Sequence, residues 1–143
     1  MIWDLISLTI IPLILSPLYF WYMSGYNPIH IIAFIGMILL GFTIEGIKKY
    51  ILPNFTRPLG AKGCDLLCLS PDDNGMPGMP SGHCATVAFY GTYYGISSPL
   101  YYIYEFLIAL SRYMKHCHSL DQIVIGIGLG SGIGFGVRKV YEN

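Results

Sequence analysis

From Leu5 to Ile44 the chain carries no aspartate, glutamate, lysine or arginine. A water-soluble domain does not leave so long a segment uncharged, because much of its surface must face water. Such a stretch is stable where its side chains meet lipid or one another. In lipid every backbone N–H and C=O has to be paired within the segment, which selects helices. About twenty residues at about 1.5 Å each cover about 30 Å, the thickness of a bilayer's hydrocarbon core. The stretch is therefore long enough for two crossings. Ser24-Gly25-Tyr26-Asn27-Pro28 divides it, with Asn27 as a cap and Pro28 in the first helical position.

The rest of the chain agrees. It has 143 residues, 54% of them hydrophobic and 11% charged, which predicts an all-α polytopic membrane helix bundle in a single domain, 1–143. About five transmembrane helices are expected. They are Leu5 to Met23, Ile29 to Lys48, Ser81 to Tyr94, Leu100 to Arg112 and Ser119 to Val140. Pro12 and Pro17 are expected to kink the first. The third and fourth are short for spans and are expected to tilt or lie within the bundle. Met1-Ile2-Trp3-Asp4 lacks the basic start of a signal peptide, so the first apolar run is read as a retained span. The net charge of zero gives no footing for nucleic acid.

Between the second and third helices lies a long loop, Ile51 to Pro80, rich in proline and carrying Asp65, Asp72 and Asp73. A loop of this length is commonly functional, and it is placed to cover a pocket. Counting crossings puts this loop, the N-terminus and the 112–118 turn on one side. Tyr22, Tyr26, Tyr93, Tyr94, Tyr101 and Tyr102 fall on the other, as an interfacial aromatic belt would. Arg138 and Lys139 favour a cytoplasmic C-terminus and an extracytoplasmic or lumenal pocket. Glycines at 126, 130 and 134, and at 128, 132 and 136, form two rows that permit close helix packing. The cysteines Cys64, Cys68, Cys84 and Cys117 show no zinc spacing. Cys64 and Cys68 share the loop and can pair in an oxidising compartment, or all can be free thiols.

The chemistry is concentrated in Met79-Pro80-Ser81-Gly82-His83. Ser81 is a good N-cap, and a helix start offers free N–H groups and a positive dipole end to an anion. Gly82 allows close backbone approach, and His83 can donate a proton near neutral pH. Upstream stand Lys48-Lys49 and Arg57-Pro58, downstream Ser111-Arg112, His118 and Asp121. Forked guanidinium groups suit phosphate oxygens, and a pair of imidazoles suits covalent phosphoryl transfer. Arginines and lysines also anchor membrane ends, which is the plain reading of Lys48. Glu45 lies one turn from Lys48 and Lys49, and an ion pair accounts for it. His30 reads as interfacial and His116 as a solvated turn residue; neither is matched to a motif.

The order Lys…Arg-Pro, Pro-Ser-Gly-His, Ser-Arg…His…Asp resembles the three-part signature of the type 2 phosphatidic acid phosphatase family. The resemblance runs from Lys48 to about Gly126. It implies a metal-independent phosphatase without a cofactor, acting in the bilayer on a lipid phosphate or an isoprenyl diphosphate through a phosphohistidine. It makes His118 the nucleophile and His83 the acid, with Asp121 or Gln122 orienting His118. Lys49, Arg57, Ser81, Gly82 and Arg112 would bind the phosphate. The chain departs from the pattern in three ways. Lys49 stands one residue further from Arg57 than is usual, which keeps Lys48 as a second choice. Gln122 occupies the usual place of the aspartate, with Asp121 one place earlier. One N-terminal helix is missing. A phosphatase of small soluble esters, and a non-catalytic membrane protein with a degraded pocket, are the other readings.

Overall fold

The computed structural model describes residues 1–143 and is helical apart from one isolated β-bridge in the long loop. The helices are α1 (Ile2–Leu8), α2 (Ile10–Met23), α3 (Pro28–Gly46), α4 (Gly82–Tyr94), α5 (Pro99–Met114) and α6 (Leu120–Glu142), and a π-helical turn, Ile47–Ile51, extends α3. Three stretches are long and apolar enough to cross a membrane: Ile2–Met23, Pro28–Ile51 and Leu120–Glu142. The expected all-α membrane bundle is present. α4 and α5 are shorter, at 13 and 16 residues. α4 has ten buried residues and runs through the middle, where its backbone is shielded by the other helices.

Proline shapes the first stretch. A proline has no N–H and clashes with the carbonyl four residues back. For Pro12 that residue is Leu8, and α1 ends there. Thr9 bridges the break by bonding the Ile6 carbonyl through Oγ1 at 2.6 Å. For Pro17 the residue is Leu13, whose carbonyl is taken by Ser16 Oγ at 2.8 Å, and α2 continues. α1 packs against α5.

α4 and α6 pack backbone to backbone. A Cβ at position 126 or 134 would stand 2.6 Å from the Ser81 carbonyl or 2.7 Å from that of Phe89, and one at 130 still nearer the Ala85 carbonyl. Of the two expected glycine rows only this one packs; at 128, 132 and 136 a Cβ would meet open space. The seam brings the start of α4 to the start of α6, where Ser81 N–H donates to the Gln122 carbonyl at 3.0 Å.

The two ends of the bundle are as counted. Asp4 of α1 pairs with Lys115 after α5 at 2.8 Å, and Lys115 also donates to the Gly63 carbonyl of the long loop. At the other end Tyr94 shares a 3.0 Å hydrogen bond with His30 Nδ1. The aromatic belt needs correction. Tyr22, Tyr26 and Tyr102 are exposed, but Tyr93 is a core residue whose hydroxyl donates to the Ile29 carbonyl, and half-buried Tyr101 donates to that of Val87.

Candidate active site

The long loop folds back on itself: Arg57 N–H donates to the Met76 carbonyl and Gly78 N–H to that of Phe55, each at 2.8 Å. Asp65 and Asp73 organise the next part. Asp65 Oδ1 accepts from the backbone of Leu69 and Ser70, and Asp73 Oδ2 accepts from Cys64 N–H and the Ser70 hydroxyl. A disulfide joins Cys64 to Cys117 across a separation of 53 residues. This replaces both sequence readings, a Cys64–Cys68 pair and free thiols; Cys68 and Cys84 are free. The cross-link ties the loop to the residue next to His118.

Under the loop is a cavity of about 550 Å³. Its polar part is formed by Lys48, Arg57, His83 and His118 together with Glu45, Asp65 and Asp73. Its apolar part is formed by Ile10 and Ile14 of α2 and Met37, Ile38, Gly41 and Phe42 of α3. Ile38 and Phe42 are also exposed on the outer face of α3, so the apolar part reaches the bundle surface.

Five buried side-chain polar atoms have no hydrogen-bond partner: Arg57 Nε and Nη1, Ser81 Oγ, His83 Nε2 and Arg112 Nε. All belong to the three motifs. Buried donors are ordinarily paired, and leaving one unpaired costs about 1–3 kcal/mol. A cluster of such donors, two of them guanidinium groups, is complementary to a multi-oxygen anion. Ser81 occupies the N-cap position expected of it, but its hydroxyl makes no capping bond and is free. Arg112 is completely buried and lies behind the cavity wall. Its Nη1 donates to Ser7 Oγ at 3.1 Å and its Nη2 to the Cys64 carbonyl at 2.8 Å. Gly82 lines the cavity, with room around its Cα.

Two expectations change at the lysines and the acid. Lys48, not Lys49, is the buried lysine at the cavity, and it pairs with Glu45 at 2.6 Å. Lys49 is exposed, its ammonium 5.1 Å from the Tyr50 ring centre. Lys48 continues the buried face of Met37, Leu40 and Ile44, a periodicity visible in the sequence. Asp121 is exposed, whereas Gln122 is buried and its Oε1 lies 3.2 Å from His118 Nδ1.

The hydrogen bonds of Gln122 settle the form of His118. Gln122 Nε2 donates to the Thr56 carbonyl at 2.9 Å, and Oε1 accepts from Ser119 N–H at 3.3 Å. Oε1 has no hydrogen, so the bond to His118 requires a proton on Nδ1. The lone pair is then on Nε2. Burial, followed by the positive charges of Arg112, Arg57 and Lys48, holds the His118 pKa well below its ordinary value of 6.5, against the opposing hydrogen bond from Gln122. His118 is therefore a neutral imidazole at neutral pH, the form that can attack an electrophile. His116 is exposed, at the surface of the turn.

A family model, described as the PAP2 superfamily, matches residues 29–143. The chain belongs to the PAP2 superfamily. Curated proteins and solved structures give no match. Membership supports a phosphatase, and it agrees with the resemblance carried by the three motifs. In this PAP2 chain all three motifs lie inside the matched region, while α1 and α2 precede it.

Proposed function

We propose that the chain is a metal-independent phosphatase that hydrolyses a membrane lipid phosphate or an isoprenyl diphosphate through a phosphohistidine. The observation that carries this is the joining of two surfaces in one cavity. One end holds unpaired buried donors from Arg57 and His83 beside His118, and the other is an apolar wall reaching the outer face of α3. The first suits a phosphate and the second a hydrocarbon chain lying in the bilayer. No group of three or more His, Cys, Asp or Glu side chains converges as a metal would need, and the cations supply the charge instead.

In this reading His118 Nε2 attacks phosphorus, forming a P–N bond as the P–O bond to the lipid breaks. His83, charged as the imidazolium once the phosphate dianion lies beside it, gives a proton to the departing oxygen and is left neutral. Water then attacks the phosphohistidine, His83 takes a proton from it, and phosphate leaves with Nε2 restored. Arg57, Lys48 and Ser81, with Arg112 behind them, balance the charge on the phosphoryl oxygens. The disulfide beside His118 favours an oxidising compartment, and Arg138 and Lys139 at the other end favour the cytoplasm. The chain is then a multi-pass membrane protein with an extracytoplasmic or lumenal site.

The test is purified protein in chelator with phosphatidate, an isoprenyl diphosphate and a sugar phosphate, each carrying labelled phosphate. Hydrolysis of the lipid substrates is expected to persist. Acid quenching during turnover should trap label on His118, and His118→Ala should abolish both label and turnover. Label on His116, or activity that returns only with a divalent ion, would overturn the proposal. Preference for the sugar phosphate would remove the lipid part of it.

A further inference from the structure

α1 lies ahead of the region that the family model matches, yet it reaches the phosphate-binding set. Ser7 is completely buried against α5. Its Oγ lies 3.1 Å from Arg112 Nη1 and 3.1 Å from Ser111 Oγ. The donors in this cluster can be assigned. A guanidinium has no acceptor, so Arg112 donates and Ser7 accepts. Ser111 donates to the Ile108 carbonyl at 2.7 Å, so its oxygen is left to accept. The Ser7 hydroxyl proton therefore points at Ser111. The bonds run one way, from Arg112 to Ser7 to Ser111 to the Ile108 carbonyl.

We propose that Ser7 is a positioning residue for the phosphate site. It acts through Arg112, and the inference rests on the phosphatase reading above. Nη1 is held by Ser7 and Nη2 by the Cys64 carbonyl, which fixes the plane of the guanidinium and leaves Nε unpaired. Removing the Ser7 oxygen leaves a buried N–H without an acceptor, and the guanidinium turns to find another. Nε, the donor of this guanidinium left without a partner, turns with it. The contact is supported one turn further on by the Asp4–Lys115 pair, since Asp4 and Ser7 share a face of α1 as Ser111 and Lys115 share one of α5.

Ser7→Thr and Ser7→Val separate the hydroxyl from the volume, because the two side chains have nearly the same shape. For each variant, wild type and Arg112→Ala, the dissociation constant of inorganic phosphate by direct binding, kcat, KM and the thermal melting midpoint in detergent would be measured. Ser7→Thr is expected within about threefold of wild type, and Ser7→Val to bind phosphate about tenfold more weakly, a size set by the loss of a hydrogen bond to a charged group. KM should rise more than kcat falls, and the two melting midpoints should agree. If Ser7→Val does not fold, Ser7→Ala is expected to show the same weakened phosphate binding against Ser7→Thr. Equal phosphate constants with and without the hydroxyl, in an active enzyme, would overturn the role of Ser7 alone. An inactive wild type that binds phosphate no better than Arg112→Ala would instead overturn the phosphatase reading, and Ser7 with it.

Discussion

The two ends of the bundle satisfy their polar groups in opposite ways. At the tyrosine end, Tyr93, Tyr101, Tyr90 and Tyr94 each give or share a hydrogen bond, with Ile29, Val87, Ser16 and His30. At the motif end lie all five buried side-chain atoms without a partner. The same chain thus closes one end and leaves the other complementary to an anion. A group whose bonds are complete contributes to stability and has nothing to offer a ligand. A group left unpaired is unfavourable in the empty site and strongly favourable once an acceptor arrives. Substitutions at the two ends should therefore separate function from stability.

The largest effect is expected at Arg57, which carries two of the unpaired atoms. Arg57→Ala should lower kcat/KM by about a hundredfold or more, comparable to losing a donor to transition-state charge. Its melting midpoint should hold or rise. A large fall in melting with activity retained would place Arg57 among the structural residues and break the contrast. Next, Lys48→Ala should lower kcat/KM by about tenfold and Lys49→Ala hardly at all, since a charge lost at the cavity matters more than one in water. Equal losses would return Lys49 to the site.

Gln122→Glu sharpens the contrast through pH. The wild-type His118 pKa lies well below 6.5, and in the proposed mechanism its neutral form is the nucleophile, so its acid limb in kcat/KM is expected on the acid side of that value. A carboxylate against Nδ1 stabilises the imidazolium and raises the pKa. More of the nucleophile is then protonated at a given acid pH, and the limb should move to higher pH. A limb that stays in place or moves down would contradict the Nδ1 contact. The smallest effect is expected at the closed end: Tyr93→Phe should cost about 1 kcal/mol of stability, as loss of one neutral hydrogen bond does, with kcat/KM unchanged. A loss of activity there would mean that the ends are coupled.

The helices, the side on which the motifs meet and most motif residues were legible in the sequence, because apolar length and helical period are local properties. The errors fall where contacts between distant residues decide. Cys64 pairs with Cys117 because the loop lies on the 112–118 turn, which no spacing within the loop reveals. Both glycine rows have the same period, and only the one on the side of buried Gln122 and Ile123 meets α4. Asp121 matched a chemical expectation, yet the helix start turns it outward and gives its place to Gln122, whose amide can bond the loop and His118 at once. Lys48 was readable, since it follows Met37, Leu40 and Ile44 on one face. Lys49 stands closer to the motif spacing but on the exposed side of the helix. Ser7 gave no signal, because its partner lies 105 positions away.

The apolar wall of the cavity has an energetic consequence. For the lipid substrate proposed above, a hydrocarbon tail leaving the bilayer for Ile10, Ile14, Met37 and Phe42 exchanges one oily surrounding for another, since lipid tails are as apolar as these side chains. The gain of about 0.8 kcal/mol per CH₂ is collected when the lipid enters the membrane, before it meets the protein. Tail contacts then add little affinity, and lengthening a tail beyond the wall should leave KM, expressed as mole fraction in the membrane, unchanged. On that proposal, selection among membrane lipids falls to the phosphate end of the cavity.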